Sequence, residues 1–370
     1  MKQLKVGIVL DDSIDRNDGV QQYVRTLGAW LESQNHIVHY LVGESKKAGS
    51  NVHSLSRNMG VTFNGNNLTM PLPANRSAIK KLLTRESFDV LHVQMPYSPF
   101  LAGRIIRAAG LDVAIVGTFH IMPLNKLHSW GSRILGIVQK RTLARFDAIC
   151  SVSPAAAHFA DQTFGVRSEI IPNMIKVSDW HTSTRIKRGK IVFLGRLVSR
   201  KGCKQLLLAL AELPVRLRQQ TDVYIAGDGP ERPELEDLAD KLNLTNVTFL
   251  GYIDEQDKPK LLASADLAIF PSLGGESFGI VLLEAMAAGS GIVLGGDNPG
   301  YRSVLGTWPN TLVQPDYPRE VARTIKYFLT NTSWRKTTHK EQQKMIKQYD
   351  VNTVGPEIVQ LYKDALHKRA

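Results

Sequence analysis

The chain has 370 residues, 43% of them hydrophobic and 22% charged, with a net charge of +12 and two cysteines. That length exceeds what one hydrophobic core usually organises and the composition excludes a disordered chain, so two soluble globular domains are expected. Cys150 and Cys203 lack a CxxC or His-rich neighbourhood, which excludes a zinc or disulfide scaffold and suits a reducing compartment.

Met1–Leu10 runs directly into Val6-Gly7-Ile8-Val9-Leu10 without a signal-peptide pattern. No stretch of about 18 uninterrupted apolar residues occurs, so a cytoplasmic chain that does not span a bilayer is expected. Short runs rich in Val and Ile then alternate with segments of helical period, the pattern of a parallel sheet with crossover helices. The first series of strands is expected at 5–10, 37–42, 90–93, 114–119, 148–152 and 169–171, and the second at 190–194, 222–226, 247–250, 267–270 and 291–294. Pro172-Asn173 and the charged stretch His181–Lys190 separate the two series. Domains over 1–172 and 173–353 follow, and the helical segment 354–370 is expected to pack back on the first.

The basic charge attracts nucleic acid, anionic membrane or acidic substrates alike. One cluster is Arg76, Lys80, Lys81 and Arg85. A second, Lys126, Arg133, Lys140, Arg141 and Arg145, is interleaved with Leu127, Trp130, Ile134, Ile137 and Val138 at helical spacing. Such a helix suits an anionic membrane surface, or is an outer helix whose apolar face is core.

In doubly wound sheets ligands sit beyond the carboxyl ends of the strands. There the first domain offers Asp18-Gly19-Val20-Gln21, where a glycine opening a helix lets amides approach a phosphate or simply makes a turn. It also offers His120 in Thr118-Phe119-His120. In the second domain Gly195-Arg196 and Arg200-Lys201-Gly202 set cations around a helix start, an arrangement suited to a diphosphate or to a solvated surface. Ala226-Gly227-Asp228-Gly229-Pro230 lacks the G-x-G-x-x-G spacing of a dinucleotide fingerprint.

The strongest constellation is Pro271–Gly289. A glycine pair, Gly274-Gly275, leads into a helix expected to start at Phe278 or Gly279, presenting free amides to an anion or to sugar hydroxyls. Were Glu276 and Glu284 on one helix they would lie roughly 12 Å apart. A retaining glycoside hydrolase needs its carboxylates about 5 Å apart, so the two acids have separate roles.

This segment resembles the E-x7-E motif of retaining GT-B glycosyltransferases of family 4, and Gly274–Val281 is similar to the bacterial phosphatidylinositol mannosyltransferases. Agreement extends over nearly the whole chain through Gly19-Val20-Gln21, Phe88–His92, Thr118–His120, Ile171–Asn173, Leu194–Arg196, Arg200–Gly202 and Phe249–Gly251. The resemblance implies an α/β GT-B fold, two Rossmann-like doubly wound parallel-sheet domains facing a cleft. It further implies Arg196 and Lys201 on the diphosphate and Glu276, Ser277 and the Phe278, Gly279, Ile280 and Val281 backbone on the donor sugar. It sets Glu284 on the ribose, Ile253 and Lys258 near the base, Gly19 at the donor and His120 beside the reacting sugar. Arg76, Lys80 and Lys81 are implied to face anionic lipid, and Gln21 the acceptor.

Three departures leave the substrate open. The usual Gly-Gly of the first loop is Asp18-Gly19. The Asn-Gly-Val-Asp that commonly follows the domain crossover is Asn173-Met174-Ile175-Lys176. The His-Glu-Pro-Asn run of the lipid mannosyltransferases is Gln94-Met95-Pro96-Tyr97. No Asp-x-Asp metal motif occurs, so the charge on the departing nucleotide is expected to be met by Arg196, Lys201 and helix termini without a catalytic metal. The expectation is a retaining transfer of mannose from GDP-mannose to a lipid such as phosphatidylinositol, at the inner face of the cell membrane. No permanently bound cofactor and no nucleic-acid partner are expected. A UDP-sugar donor or a GT-B epimerase remains the alternative.

Overall fold

The computed structural model describes residues 2–16, 18–46, 49–63, 66–71, 74–121 and 139–369. Two compact units divide the chain: residues 1–174 with 351–370, and residues 175–350.

The first unit is built on β1 (Lys5–Leu10), β2 (Ile37–Val42), β3 (Val52–Ser54), β6 (Val90–Gln94), β7 (Ala114–Phe119), β8 (Ala148–Ser151) and β9 (Glu169–Ile170). They form one parallel sheet in the order β3-β2-β1-β6-β7-β8-β9. A separate antiparallel hairpin pairs β4 (Asn58–Phe63) with β5 (Asn66–Pro71). Val6, Ile8, Val9 and Leu10 are fully buried because helices cover both faces of such a sheet. Helix Gly19–Ser33 turns Tyr23, Val24, Leu27 and Leu31 inward at helical spacing. The C-terminal helix Val351–His367 adds Val354, Ile358, Leu361 and Tyr362 to the same core. There Gly355 admits the Trp30 indole, which a Cβ would meet at 2.6 Å, and Trp30 Nε1 donates to Asn352 Oδ1 at 3.1 Å.

The second unit holds β10 (Lys187–Leu194), β11 (Asp222–Ala226), β12 (Val247–Gly251), β13 (Ala265–Phe270), β14 (Ile292–Gly296) and β15 (Leu312–Val313), all parallel in the order β12-β11-β10-β13-β14-β15. In each sheet the strand order reverses once, between β1 and β6 and between β10 and β13. A crevice opens at such a switch point, and ligands bind there.

The differences from the expected elements are local. β10 begins at Lys187, inside the expected linker, with a register shift before Ile191 at Gly189 (φ +75°), whose amide donates to Asp266 Oδ2 at 2.9 Å. β3, β15 and the hairpin were not expected. The first two have three and two residues, too short for a periodicity signal. The hairpin carries a turn signal in the sequence instead, Asn64-Gly65, which lies outside the described residues. The expected cationic segment 123–146 lies outside the described residues as far as 138. From 139 to 143 it is helical, with Lys140 and Arg141 exposed and Thr142 and Leu143 buried. Among the described residues no helix is long and apolar enough to cross a membrane.

Candidate active site

The loops after β10 and β13 meet at the second unit's switch point because glycines let their backbones touch. A Cβ on Gly202 (φ +75°), which caps helix Cys203–Ala211, would lie 1.8 Å from Pro271 O. Gly296 and Gly300 press likewise on Ser272 O and Glu276 O, at 2.2 and 2.0 Å. Between them the buried Asn298 caps helix Pro299–Leu305, accepting from Tyr301 N at 3.0 Å and donating to Ser272 O at 3.2 Å.

On this frame three donors converge on one oxygen. Glu276 Oε1 accepts from Lys201 Nζ at 2.7 Å, Arg200 Nη1 at 2.8 Å and Ser272 Oγ at 3.0 Å. The side chains of Glu276, Lys201 and Arg200 are 12%, 20% and 27% exposed. Burial pushes the Glu276 carboxyl up, but the Lys201 and Arg200 charges with the Lys201 and Ser272 hydrogen bonds outweigh it and hold the group below the usual carboxylate range. The result is an ionised acid between two cations.

Glu276 lies in a loop four residues ahead of helix Ile280–Ala288, so the axial spacing of 12 Å to Glu284 does not apply. The helix begins later than expected because Gly279 takes φ +111° as its N-cap, over the Tyr301 ring. Phe278 is buried edge-on to Tyr349 at 5.7 Å, while Ser277, Ile280 and Val281 are half-buried. Glu284 is 5% exposed, and both acids raise the pKa of buried Tyr301, after burial itself. Arg196 is half-buried in the loop directly after β10. Ile253 and Lys258 follow edge strand β12, roughly 14 Å from β13 at three strand spacings. Lys258 Nζ pairs with Glu255 Oε1 at 2.5 Å.

In the first unit Asp11, at the end of β1, accepts from the Ser98 hydroxyl and from Ala102 N, the latter at 2.6 Å. It thereby caps helix Leu101–Ala108, whose own N-cap Phe100 has no side chain to do so. Burial raises the Asp11 pKa to about 6 despite these bonds. Gly19 is exposed with nothing near its absent side chain, and Asp18 turns to Arg16 Nη2 at 2.8 Å instead of capping the helix. Gln21 is buried and donates to Asp12 Oδ2 at 3.0 Å, holding the loop.

His120 is 6% exposed, lies edge-on to Tyr23 and meets Gln94 Oε1 at 2.6 Å. Burial lowers its pKa to about 3, so the ring is neutral. Tyr97, in the altered loop, packs on Phe119 and Phe164 at 5.7 and 5.5 Å. Arg76, Lys80 and Lys81 lie exposed on helix Arg76–Glu86 over buried Ile79 and Leu82, and form no ion pair among the described residues.

Among the described residues one trio, His39, His53 and Glu86, could offer ligands to a metal. The ring planes lie 7° apart with centroids at 5.2 Å, while the facing nitrogens are 2.8 Å apart. The two imidazoles therefore lie edge to edge in one plane with a proton between them, and their lone pairs do not converge on an ion. Glu86 is engaged by Lys5 and Arg85, the Lys5 bond first, which hold it at about 2 against its burial.

The family model for glycosyl transferases group 1 matches residues 178–349, and that for glycosyltransferase family 4 matches residues 17–179. A phosphatidyl-myo-inositol mannosyltransferase of Mycolicibacterium smegmatis is 31% identical, over 97% of this chain and 94% of its own. The chain belongs to the family 4 GT-B glycosyltransferases. The enzyme of the same name from Mycobacterium tuberculosis H37Rv is 30% identical to this glycosyltransferase over 97% of both chains. Sucrose-phosphate synthase of Thermosynechococcus elongatus has the same fold, with a TM-score of 0.76 at 18% identity over 99% of this chain and 100% of that one. So does Anabaena HepE in complex with UDP-glucose, with a TM-score of 0.74 at 18% identity over 98% and 100%.

Of the residues singled out from the glycosyltransferase's sequence, Lys201 and Glu276 are brought into direct contact. Ser272, Asn298 and Gln94 were missed. Asn298-Pro299-Gly300 after a strand is an N-cap signal that could have found the second. Ser272 and Gln94 act through partners distant in sequence.

Proposed function

We propose that this glycosyltransferase moves mannose from GDP-mannose, with retention, onto a lipid-linked acceptor of the phosphatidylinositol type at the membrane's cytoplasmic face. The observation that carries the reading is Glu276 held ionised by Lys201 and Arg200 at the switch point. Two cations beside a helix start suit a diphosphate, and an anchored carboxylate suits sugar hydroxyls. Lys201 and Arg196 are assigned to the diphosphate, and Glu276 with the Ser277–Val281 backbone to the sugar. Glu284 is assigned to the ribose, Ile253 and Lys258 to the base, Gly19 to the donor phosphates and His120 to the reacting sugar. Gln21 is assigned to the acceptor, and Arg76, Lys80 and Lys81 to anionic lipid. Mannose and the inositol lipid are favoured by the names of relatives about 30% identical over nearly all the chain.

A UDP-sugar is the second reading, favoured by the UDP-glucose named with HepE. Gln94–Tyr97 in place of His-Glu-Pro-Asn favours a different acceptor. Thermal-shift screening of GDP-mannose against UDP-glucose separates the donors, since only a ligand of the native state raises Tm. Incubating the stabilising donor with phosphatidylinositol vesicles in EDTA, then reading the product's anomeric configuration, tests the rest. A Tm rise with UDP-glucose alone, an inverted product or a strict metal requirement each overturns its part. Glu276→Ala and Lys201→Ala are each expected to remove most transfer while the circular dichroism spectrum is kept.

A further inference from the structure

Lys201 is the cation assigned to the donor's diphosphate, and Arg200 stands beside it, yet both already bind a carboxylate, at 2.7 and 2.8 Å. We propose that Glu276 is a placeholder for the diphosphate: its carboxylate neutralises Lys201 and Arg200 until a diphosphate takes them over, and the exchange frees Oε1 for a sugar hydroxyl. This rests on the donor-site reading above.

The exchange sorts ligands by what they return to Glu276. An intact nucleotide sugar takes the cations and offers hydroxyls to the released oxygen, so the part-buried acid stays paired. A free nucleoside diphosphate takes the same cations and returns nothing, which leaves a part-buried anion with Ser272 Oγ, at 3.0 Å, as its remaining donor of the three. Leaving a charged group short of its partners is costly. The site therefore disfavours its own product relative to its substrate and speeds its release. Ser272 is a positioning residue here. Its one hydroxyl proton is shared between Glu276 Oε1 and Arg200 O, at 3.0 and 2.8 Å, tying the acid's loop to the loop of the cations.

Calorimetric titration of the full chain with GDP, UDP, GDP-mannose and UDP-glucose tests this in wild type and Glu276→Gln. The expected result is opposite shifts. The nucleoside diphosphate that binds wild type binds the variant about tenfold tighter, the scale of one charge-assisted hydrogen bond, while its nucleotide sugar gains nothing or loses affinity. Repeating the pair in a Lys201→Met background separates the exchange from plain repulsion between Glu276 and phosphate. Acting through Lys201, the gain shrinks there, as a double-mutant cycle requires. A gain undiminished in that background, or no gain in the first, overturns the placeholder. Glu276→Ala carries the same expectation and decides the matter where Glu276→Gln fails to fold. Wild-type protein that binds neither diphosphate nor nucleotide sugar overturns the donor-site reading as well, whereas binding without the opposite shifts overturns the placeholder alone.

Discussion

Gly274→Ala and Gly279→Ala place the same methyl group five residues apart in one loop, and the structure assigns them very different costs. Gly279 has φ +111°, and its Cβ would lie 2.6 Å from Tyr301 Cδ1 and 3.0 Å from Leu282 Cδ1. A side chain in that region of φ costs about 1–3 kcal/mol, and overpacking a buried ring costs about 1–3 kcal/mol more. The sum is about 2–6 kcal/mol. Gly274 has no left-handed φ and nothing within 4 Å of its Cβ, so its substitution should stay within about 1 kcal/mol of wild type. For a unit of this size 1 kcal/mol moves Tm by about 2–4 °C, so Gly279→Ala should melt at least about 4 °C lower by far-UV circular dichroism. Because Gly300 and Asn298 press on the same loop, Gly279→Ala should also weaken nucleotide binding at a temperature where it is fully folded. Two variants melting within about 2 °C of each other would refute the packing argument.

Tyr362→Phe removes the hydroxyl 2.7 Å from buried His92 Nδ1 and should cost about 1–3 kcal/mol in a urea melt; an unchanged midpoint would dismiss the bond's contribution. Asp11 titrates at about 6 when folded against 3.8 for an ordinary carboxyl, so the native state holds its proton the more tightly. Its contribution is complete below the unfolded value and lost as pH rises through the folded one, a fall of about 3 kcal/mol. Wild type should lose stability between pH 4 and pH 7 relative to Asp11→Asn, and parallel profiles would contradict this. With His120 held at about 3, the transfer rate should show no limb of its own between pH 5 and pH 8. A limb in that window that disappears in His120→Gln would show the ring to be protonated there.

Periodicity in the sequence located β1, β2, β7 and β11 to the residue, and was one or two residues off at the ends of the fully buried β6, β13 and β14, where apolar runs blend into the flanking helices and turns. It failed where pairing owes more to a neighbour than to a pattern, as in β3 at the edge of its sheet. The candidate site shows the same split. The spacing of Gly274 to Glu284 is legible because a strand end, a flexible loop and a helix start are each local features. That Glu276 meets Lys201 is not, since they stand 75 positions apart and glycines bring their loops together. Nor was it visible that Gln94, the last residue of β6, would hold His120.

The C-terminal helix has a consequence for biosynthesis. Val354, Ile358, Leu361 and Tyr362 complete a core begun by Leu4, Val6 and Ile8. A ribosome therefore releases everything needed for residues 175–350 before it has made the last wall of the unit that contains the first residues. The usual N-to-C order of maturation is inverted. The nascent chain carries Trp30, Tyr23 and their neighbours without their final cover until residues 351–367 have been made.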